Sequence, residues 1–207
     1  MPDELKNMIQ RTQRYWYIDG LSEIGAGLMI TLMAGWILAA GSFPDGSPYV
    51  WLLAIGQPLL ILAAWWLVSR GVKALKERLT YPRTGYVSYP RRGKSKRIVA
   101  ALTAAPLAAL IAVFSSFPAA ANFTPLLVGI AMGTALFFIG WQMNLLRFMA
   151  QAPLLVITGA LITWAQVPDP LNMAGMIGAA GLIWMVSGAA VLIHYLRSTA
   201  PAAEDEL

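Results

Sequence analysis

Six long apolar stretches constrain the fold of this 207-residue chain more than any other feature. A helix needs about 20 mostly apolar residues to cross the hydrocarbon core of a bilayer. The six predicted spans are Leu21–Ala40, Tyr49–Val68, Ile98–Ser115, Phe123–Trp141, Ala152–Val167 and Met173–Leu196. Only 12% of the residues are charged, roughly half of what a soluble domain carries. The sequence therefore predicts an all-α integral membrane bundle of six transmembrane helices.

The basic residues determine the predicted orientation of these spans. All 15 lie on alternate connections: three precede the first span, ten lie between Arg70 and Arg97, and the other two are Arg147 and Arg197. Connections that carry Lys and Arg stay on the cytoplasmic side of the membrane. The pattern predicts a multi-pass protein of the inner (plasma) membrane with both termini in the cytoplasm.

The chain is predicted to form three transmembrane hairpins with flanking segments. Residues 1–19 form a leader whose apolar residues recur at helical spacing, which is typical of an amphipathic helix lying on the membrane surface. The segments that follow are the first hairpin 20–69, a basic cytoplasmic loop 70–97, the second hairpin 98–142, a short cytoplasmic turn with the third hairpin 143–197, and a cytoplasmic tail 198–207. In the second hairpin, Gly129 and Gly133 lie one helical turn apart and predict close packing between helices.

The basic loop contains the most unusual sequence of the chain. A helix that continues from the second span is expected to end before Pro82. The triplet Tyr-Pro-Arg then occurs at 81–83 and again at 89–91, which predicts an extended or hairpin-like segment because proline opposes a helix. Five cations directly before the third span predict contacts with anionic lipid headgroups: Arg91, Arg92, Lys94, Lys96 and Arg97. Because this cluster adjoins a span, nucleic acid is not expected as a partner.

Two segments carry a resemblance to a known group of proteins. Residues 14–25 read RYWYIDGLSEIG, and residues 75–87 read LKERLTYPRTGYV. These segments resemble two signatures of a family of uncharacterised bacterial polytopic membrane proteins. The resemblance covers about 25 residues, where the first span begins and in the central loop. It implies a bacterial origin and assigns no catalytic activity.

Ionisable residues within or beside a span are expensive, so they are the first candidates for function. Asp19 and Glu23 are four residues apart and share one face of a helix. The predicted topology places them at the cytoplasmic edge with Arg83, Arg147 and His194. Two interpretations stay open. In one, a polar pocket faces the cytosol and Glu23 pairs with one of these three cations. In the other, which we favour, the helix N-terminus stabilises both carboxylates, and they hold the central loop through Arg83.

The polar residues at mid-membrane are uncharged, which argues against a proton relay or an ion-coupled pump. Candidate contacts for a neutral ligand there are Thr31, Gln57 and Thr134. The pair Gln57-Pro58 admits two interpretations. It marks either a broken helix with exposed carbonyls around a substrate or an ordinary proline kink, and the kink is the simpler one.

No metal or cofactor is predicted. The chain has no cysteine and a single histidine, which excludes thiol catalysis, iron–sulfur clusters, zinc ribbons and any multi-histidine metal site within one chain.

The sequence favours a non-catalytic membrane protein that acts as a partner-binding or regulatory subunit through its cytoplasmic face, with a membrane protein or a second copy as its partner. The alternative is a small transporter, or a membrane-embedded substrate-binding subunit, for a neutral or weakly polar ligand. The weakest alternative is an enzyme that acts on lipid headgroups through Asp19 and Glu23.

Overall fold

The computed structural model of this protein describes residues 17–44, 46–84 and 122–199. Helices are the regular structure of these ranges, which contain no strand. In chain order they are α1 (Leu21–Gly41), α2 (Pro48–Leu79), α3 (Tyr81–Thr84), α4 (Thr124–Met143), α5 (Leu146–Trp164) and α6 (Leu171–Ser198). The predicted all-α class is confirmed for this part of the chain.

Five of these helices, all except α3, are long and apolar enough to cross a membrane. They overlap five of the six predicted spans. The third predicted span, Ile98–Ser115, lies outside the described residues, as do the leader up to residue 16, the headgroup contacts between Arg91 and Arg97, and the tail from residue 200. Apolar helices of membrane-spanning length are therefore confirmed, while the number of spans and their direction stay predictions.

The second helix is longer than its predicted span. It runs 11 residues past Val68 and ends at Leu79, which confirms that the helix continues beyond the span and stops before Pro82. Pro58 lies inside this continuous helix, so the helix is not broken at Gln57-Pro58. An interior proline removes one backbone hydrogen bond without ending the helix when the flanking turns stay intact.

The segment that follows α2 differs from its prediction. Tyr81–Thr84 forms one helical turn, α3, where an extended loop was expected. Pro82 is compatible with this turn because it lies in the first turn of a helix, where a backbone N–H has no helical partner to lose. The remainder of the expected loop, from residue 85, lies outside the described residues.

The chain divides into two compact units, and α1, α2, α3 and the part of α6 from Ile177 belong to the first. Within it α1 packs against both α2 and α6. An ideal Cβ at Gly25 would lie 2.7 Å from a methyl of Val72 on α2, and one at Gly27 would lie 2.6 Å from the backbone oxygen of Gly181 on α6. Because neither glycine has a side chain, the helices approach one another closely, which favours association through dispersion contacts.

The second unit contains α4, α5 and the beginning of α6. A turn at Asn144 and Leu145 joins α4 to α5, with Asn144 in the left-handed region (φ 53°). The two helices pack backbone to backbone: an ideal Cβ at Gly129 would lie 2.7 Å from the oxygen of Leu155, and one at Gly133 would lie 2.8 Å from that of Ala152. The close approach predicted for this glycine pair is confirmed.

Candidate functional site

Asp19 forms the centre of a buried polar cluster where α1 begins. Its side chain is 0% exposed. One carboxylate oxygen accepts a hydrogen bond from the backbone N–H of Leu21 at 3.1 Å and another from Nζ of Lys76 at 3.1 Å. The second oxygen lies 2.9 Å from Nζ of Lys76 and accepts a hydrogen bond of 2.9 Å from Oγ1 of Thr80. Both carboxylate oxygens are thus engaged by donors of the protein.

The side-chain partners of Asp19 come from the end of α2, and one of them is connected to α6. Lys76 and Thr80 lie four residues apart at the end of α2 and are each 2% exposed. Tyr195 on α6, also buried, donates its hydroxyl to the backbone oxygen of Thr80 at 3.4 Å. We call Asp19, Lys76, Thr80 and Tyr195 the Asp19 cluster. It joins the start of α1 to the ends of α2 and α6.

A buried ion pair must recover the free energy that both charges lose when they leave water. That recovery requires good geometry and further hydrogen bonds to the charged groups. The Asp19 cluster meets both conditions, because the carboxylate also receives the N–H of Leu21 and the hydroxyl of Thr80. Removal of one partner from such a pair costs about 3–5 kcal/mol, since the other charge stays buried.

Glu23 lies one turn further along α1 and is directed at α6. It is 1% exposed, and its Oε2 accepts a hydrogen bond of 3.2 Å from Oγ of Ser187. The two helices are very close here: an ideal Cβ at Gly188 would lie 2.7 Å from the backbone oxygen of Gly20. Asp19 and Glu23 are therefore both buried, but Asp19 is held by α2 and Glu23 contacts α6.

Arg83 lies on α3, and its side chain binds the C-terminal end of α6. Its guanidinium donates to the backbone oxygen of Leu196 at 3.0 Å and to that of Thr199, and it approaches the hydroxyl of Thr199 at 3.5 Å. The last carbonyl groups of a helix have no partner within the helix, and a cation there interacts favourably with the helix dipole. Arg83 therefore acts as a C-terminal cap for α6.

The other two predicted members of the polar pocket have different surroundings. His194 is exposed on α6, whereas its neighbour Tyr195 is buried. The prediction that the fifth span begins at Ala152 is wrong, because α5 begins at Leu146. Arg147 therefore lies in the first turn of α5, and it is half-buried within the second unit. Its guanidinium lies 5.6 Å from the ring of Phe148.

The candidate mid-membrane contacts are also placed individually. The hydroxyl of Thr31 donates to the backbone oxygen of Gly27 at 2.9 Å and lies 3.8 Å from the sulfur of Met185. Gln57 is exposed on α2, and Thr134 is exposed on α4. The first of these residues packs between two helices, while the other two face away from the packed interior of their own units.

Sequence reasoning identified Asp19, Glu23 and Arg83 but missed most of their partners. Lys76 had a signal in the sequence, because Val68, Val72, Lys76 and Thr80 recur every four residues along one face of α2. A lysine that continues an apolar stripe is a candidate for burial with an acidic partner. Ser187 and Tyr195, both on α6, had no comparable signal in the sequence that indicated their partners.

In the described ranges no three His, Asp or Glu side chains gather in a group that could hold a metal ion. Comparison with known proteins finds no matching family model, curated protein or solved structure.

Proposed function

We propose that this chain is a non-catalytic protein of the inner (plasma) membrane that binds a partner, or regulates one, through its cytoplasmic face. The proposal includes six spans with both termini in the cytoplasm. Its support is the placement of all 15 basic residues on alternate connections together with five helices of membrane-spanning length. In this orientation the Asp19 cluster lies at the cytoplasmic ends of α1, α2 and α6.

The Asp19 cluster is the observation that carries the proposal. The polar side chains at this end of the first unit hold three helix ends together, and Arg83 connects α3 to the end of α6. The segment that continues from Thr84 into the second Tyr-Pro-Arg triplet therefore starts from a fixed position. A binding surface benefits from such rigidity, because less conformational entropy is lost when the partner binds.

The same contacts give less support to the two alternatives. A headgroup enzyme would need an acid that can exchange protons with its substrate, whereas both oxygens of Asp19 are engaged by Leu21, Lys76 and Thr80. A transporter for a neutral ligand would use the mid-membrane polar residues, whereas Thr31 is packed against α6 and Gln57 lies on an unbroken helix.

The topology is testable with single cysteines, because the chain has none of its own. Ser42→Cys and Ala165→Cys should react with a membrane-impermeant thiol reagent added outside the cell. Ser88→Cys and Ser198→Cys should react only after the membrane is permeabilised. The labelling of Ala165→Cys decides the number of spans. If the chain does not cross the membrane at Ile98–Ser115, Ala165 lies on the same side as Ser88. Labelling of Ala165→Cys only after permeabilisation would therefore refute six spans.

The partner is testable by site-specific photo-crosslinking in native membranes. A photoreactive amino acid at Tyr86 or Tyr89 should give an adduct with a second protein, and the same group at Phe43 or Trp164 serves as the control. Substitution of Tyr86 by Ala should remove the adduct formed at position 89 without changing the amount of folded protein. Adducts at neither tyrosine would contradict a partner-binding role, and adducts only between copies of this chain would show that the partner is a second copy.

A further inference from the structure

The end of α2 carries a charged face that the Asp19 cluster does not use. Beyond Val68, the exposed charged side chains of α2 are Arg70, Lys73, Glu77 and Arg78. Val68, Val72 and Lys76 lie about 120–160° from Arg70 around the helix axis, on the side of α2 that faces Gly25 and Asp19. This part of α2 therefore has one face that packs within the first unit and one face that is open.

Three residues on the open face form a stripe. Trp66, Arg70 and Lys73 follow one another at spacings of four and three residues, so they lie within about 60° of one another around the helix axis. The guanidinium carbon of Arg70 lies 4.0 Å from the ring centroid of Trp66, which is a favourable distance for a cation over an indole ring. The contact holds the arginine against the tryptophan and directs both along the same stripe.

The stripe continues an exposed apolar surface. Leu59 and Leu62, which precede Trp66 on the same side of α2, are 66% and 61% exposed. Trp66 to Lys73 spans about 10 Å along the helix, which is comparable to the thickness of one headgroup layer, roughly 5–8 Å by the difference between the full bilayer and its hydrocarbon core. Along one face, α2 thus presents apolar side chains, then an indole ring, then two cations.

We propose that Trp66, Arg70 and Lys73 form a binding site for an anionic phospholipid. The cations contact the phosphate and the anionic headgroup, the indole lies at the level of the glycerol backbone, and Leu59 and Leu62 contact an acyl chain. A planar guanidinium donates two parallel hydrogen bonds to a phosphate, and an ammonium adds a point charge. A soluble anion or an acidic peptide would match the cations but would leave the adjacent apolar surface without a complement.

Glu77 limits the site. It lies one turn beyond Lys73 on the same side of α2 and is exposed, so its negative charge disfavours a second phosphate further along the helix. Arg78 lies on a different side of α2, about 80° from Arg70 around the axis. The proposal adds a site separate from the loop cations at 91–97, and it rests on the proposed topology only for the assignment to the cytoplasmic leaflet.

The test uses the full chain purified in a mild neutral detergent. Retention of phosphatidylglycerol and of phosphatidylcholine is measured by native mass spectrometry. Wild-type protein should retain the anionic lipid preferentially, and Arg70→Gln/Lys73→Gln should lower that retention by about fivefold for each cation removed. Arg78→Gln is the matched control, because it removes an exposed cation from the same helix outside the stripe, and it should retain the lipid as wild type does.

Two further results decide the proposal. Trp66→Leu should lower retention of phosphatidylglycerol several-fold, since it removes the ring that orients Arg70. Glycerophosphoglycerol, which is the same headgroup without acyl chains, should not displace the bound lipid at matched concentration. Equal losses in Arg78→Gln and in the double variant, no loss in the double variant, or displacement by the free headgroup would each overturn a lipid site on this stripe.

Discussion

The ammonium group of Lys76 lies 2.9 Å from a carboxylate oxygen of Asp19, and neither side chain has appreciable contact with solvent. The two residues are 57 positions apart in the chain. The pair therefore holds the end of α2 against the start of α1, and its removal should affect the whole first unit.

Lys76→Met should lower the free energy of unfolding by about 3–5 kcal/mol, because it leaves the Asp19 carboxylate buried without its cation. Thermal unfolding of the purified protein, followed by circular dichroism, measures the loss. Arg78→Met is the matched control, since it removes an exposed cation from the same helix outside the lipid site and should change stability by no more than about 0.5 kcal/mol.

The double variant Asp19→Asn/Lys76→Met separates the charge from the packing. Asparagine carries no charge, its carbonyl oxygen can accept from the N–H of Leu21, and its amide NH2 can donate to the hydroxyl of Thr80. The double variant should therefore recover at least half of the loss seen in Lys76→Met. A double variant as unstable as the single one would show that the aliphatic stem of Lys76, and not the ion pair, supports this contact.

Gly181→Ala should destabilise the protein by about 1–3 kcal/mol, the usual cost of overpacking. Its Cβ would lie 2.7 Å from the backbone oxygen of Gly27 and 2.8 Å from the nitrogen of Thr31, so α1 and α6 would have to separate. Gly35→Ala on α1 is the control, because nothing lies within 4 Å of its Cβ, and alanine is favoured over glycine in a helix. If both variants unfold at the same temperature, the close approach of α1 and α6 is wrong.

Part of the local structure of the site was predictable from the sequence, and its pairings were not. The end of α2 before Pro82 follows from backbone geometry alone. The prediction that Asp19 and Glu23 share one helix face is wrong, because α1 begins at Leu21 after a left-handed Gly20 (φ 69°), so Asp19 precedes the helix. The choice of Lys76 for one carboxylate and Ser187 for the other depends on which helices pack together. That packing is set by glycines such as Gly27 and Gly181, which can be recognised as small residues but not matched into pairs from one sequence.

The acceptors of Arg83 were also not predictable from the sequence. The sequence predicted that Arg83 holds the central loop on the first span through a carboxylate, and this acceptor is wrong. Its acceptors in the structure are backbone oxygens at the end of α6, at Leu196 and Thr199. Every helix end offers such oxygens, so no pattern of side chains could indicate which one an arginine would reach.

Ser187→Ala should cost about 1–2 kcal/mol, because it removes a hydrogen-bond donor from the buried carboxyl group of Glu23. Ser42→Ala is the control: Ser42 is exposed, its hydroxyl donates to the backbone oxygen of Leu38 at 2.8 Å, and its loss should stay within about 0.5 kcal/mol. Chemical denaturation in a mixed-micelle system measures both. Equal effects of the two substitutions would mean that the contact between Ser187 and Glu23 adds nothing to stability.

Arg83→Gln should loosen the end of α6 while the rest of the helix stays protected. The cap satisfies carbonyl groups of the last turn, and its loss should lower local stability by about 1 kcal/mol, which corresponds to roughly fivefold faster exchange of the nearby amides. Hydrogen–deuterium exchange read out by mass spectrometry should show the change in peptides that contain Leu196–Thr199. Arg78→Gln, an exposed arginine on α2, should leave those peptides unchanged. Uniform acceleration along α6 in Arg83→Gln would instead indicate that Arg83 supports the whole unit and not one helix end.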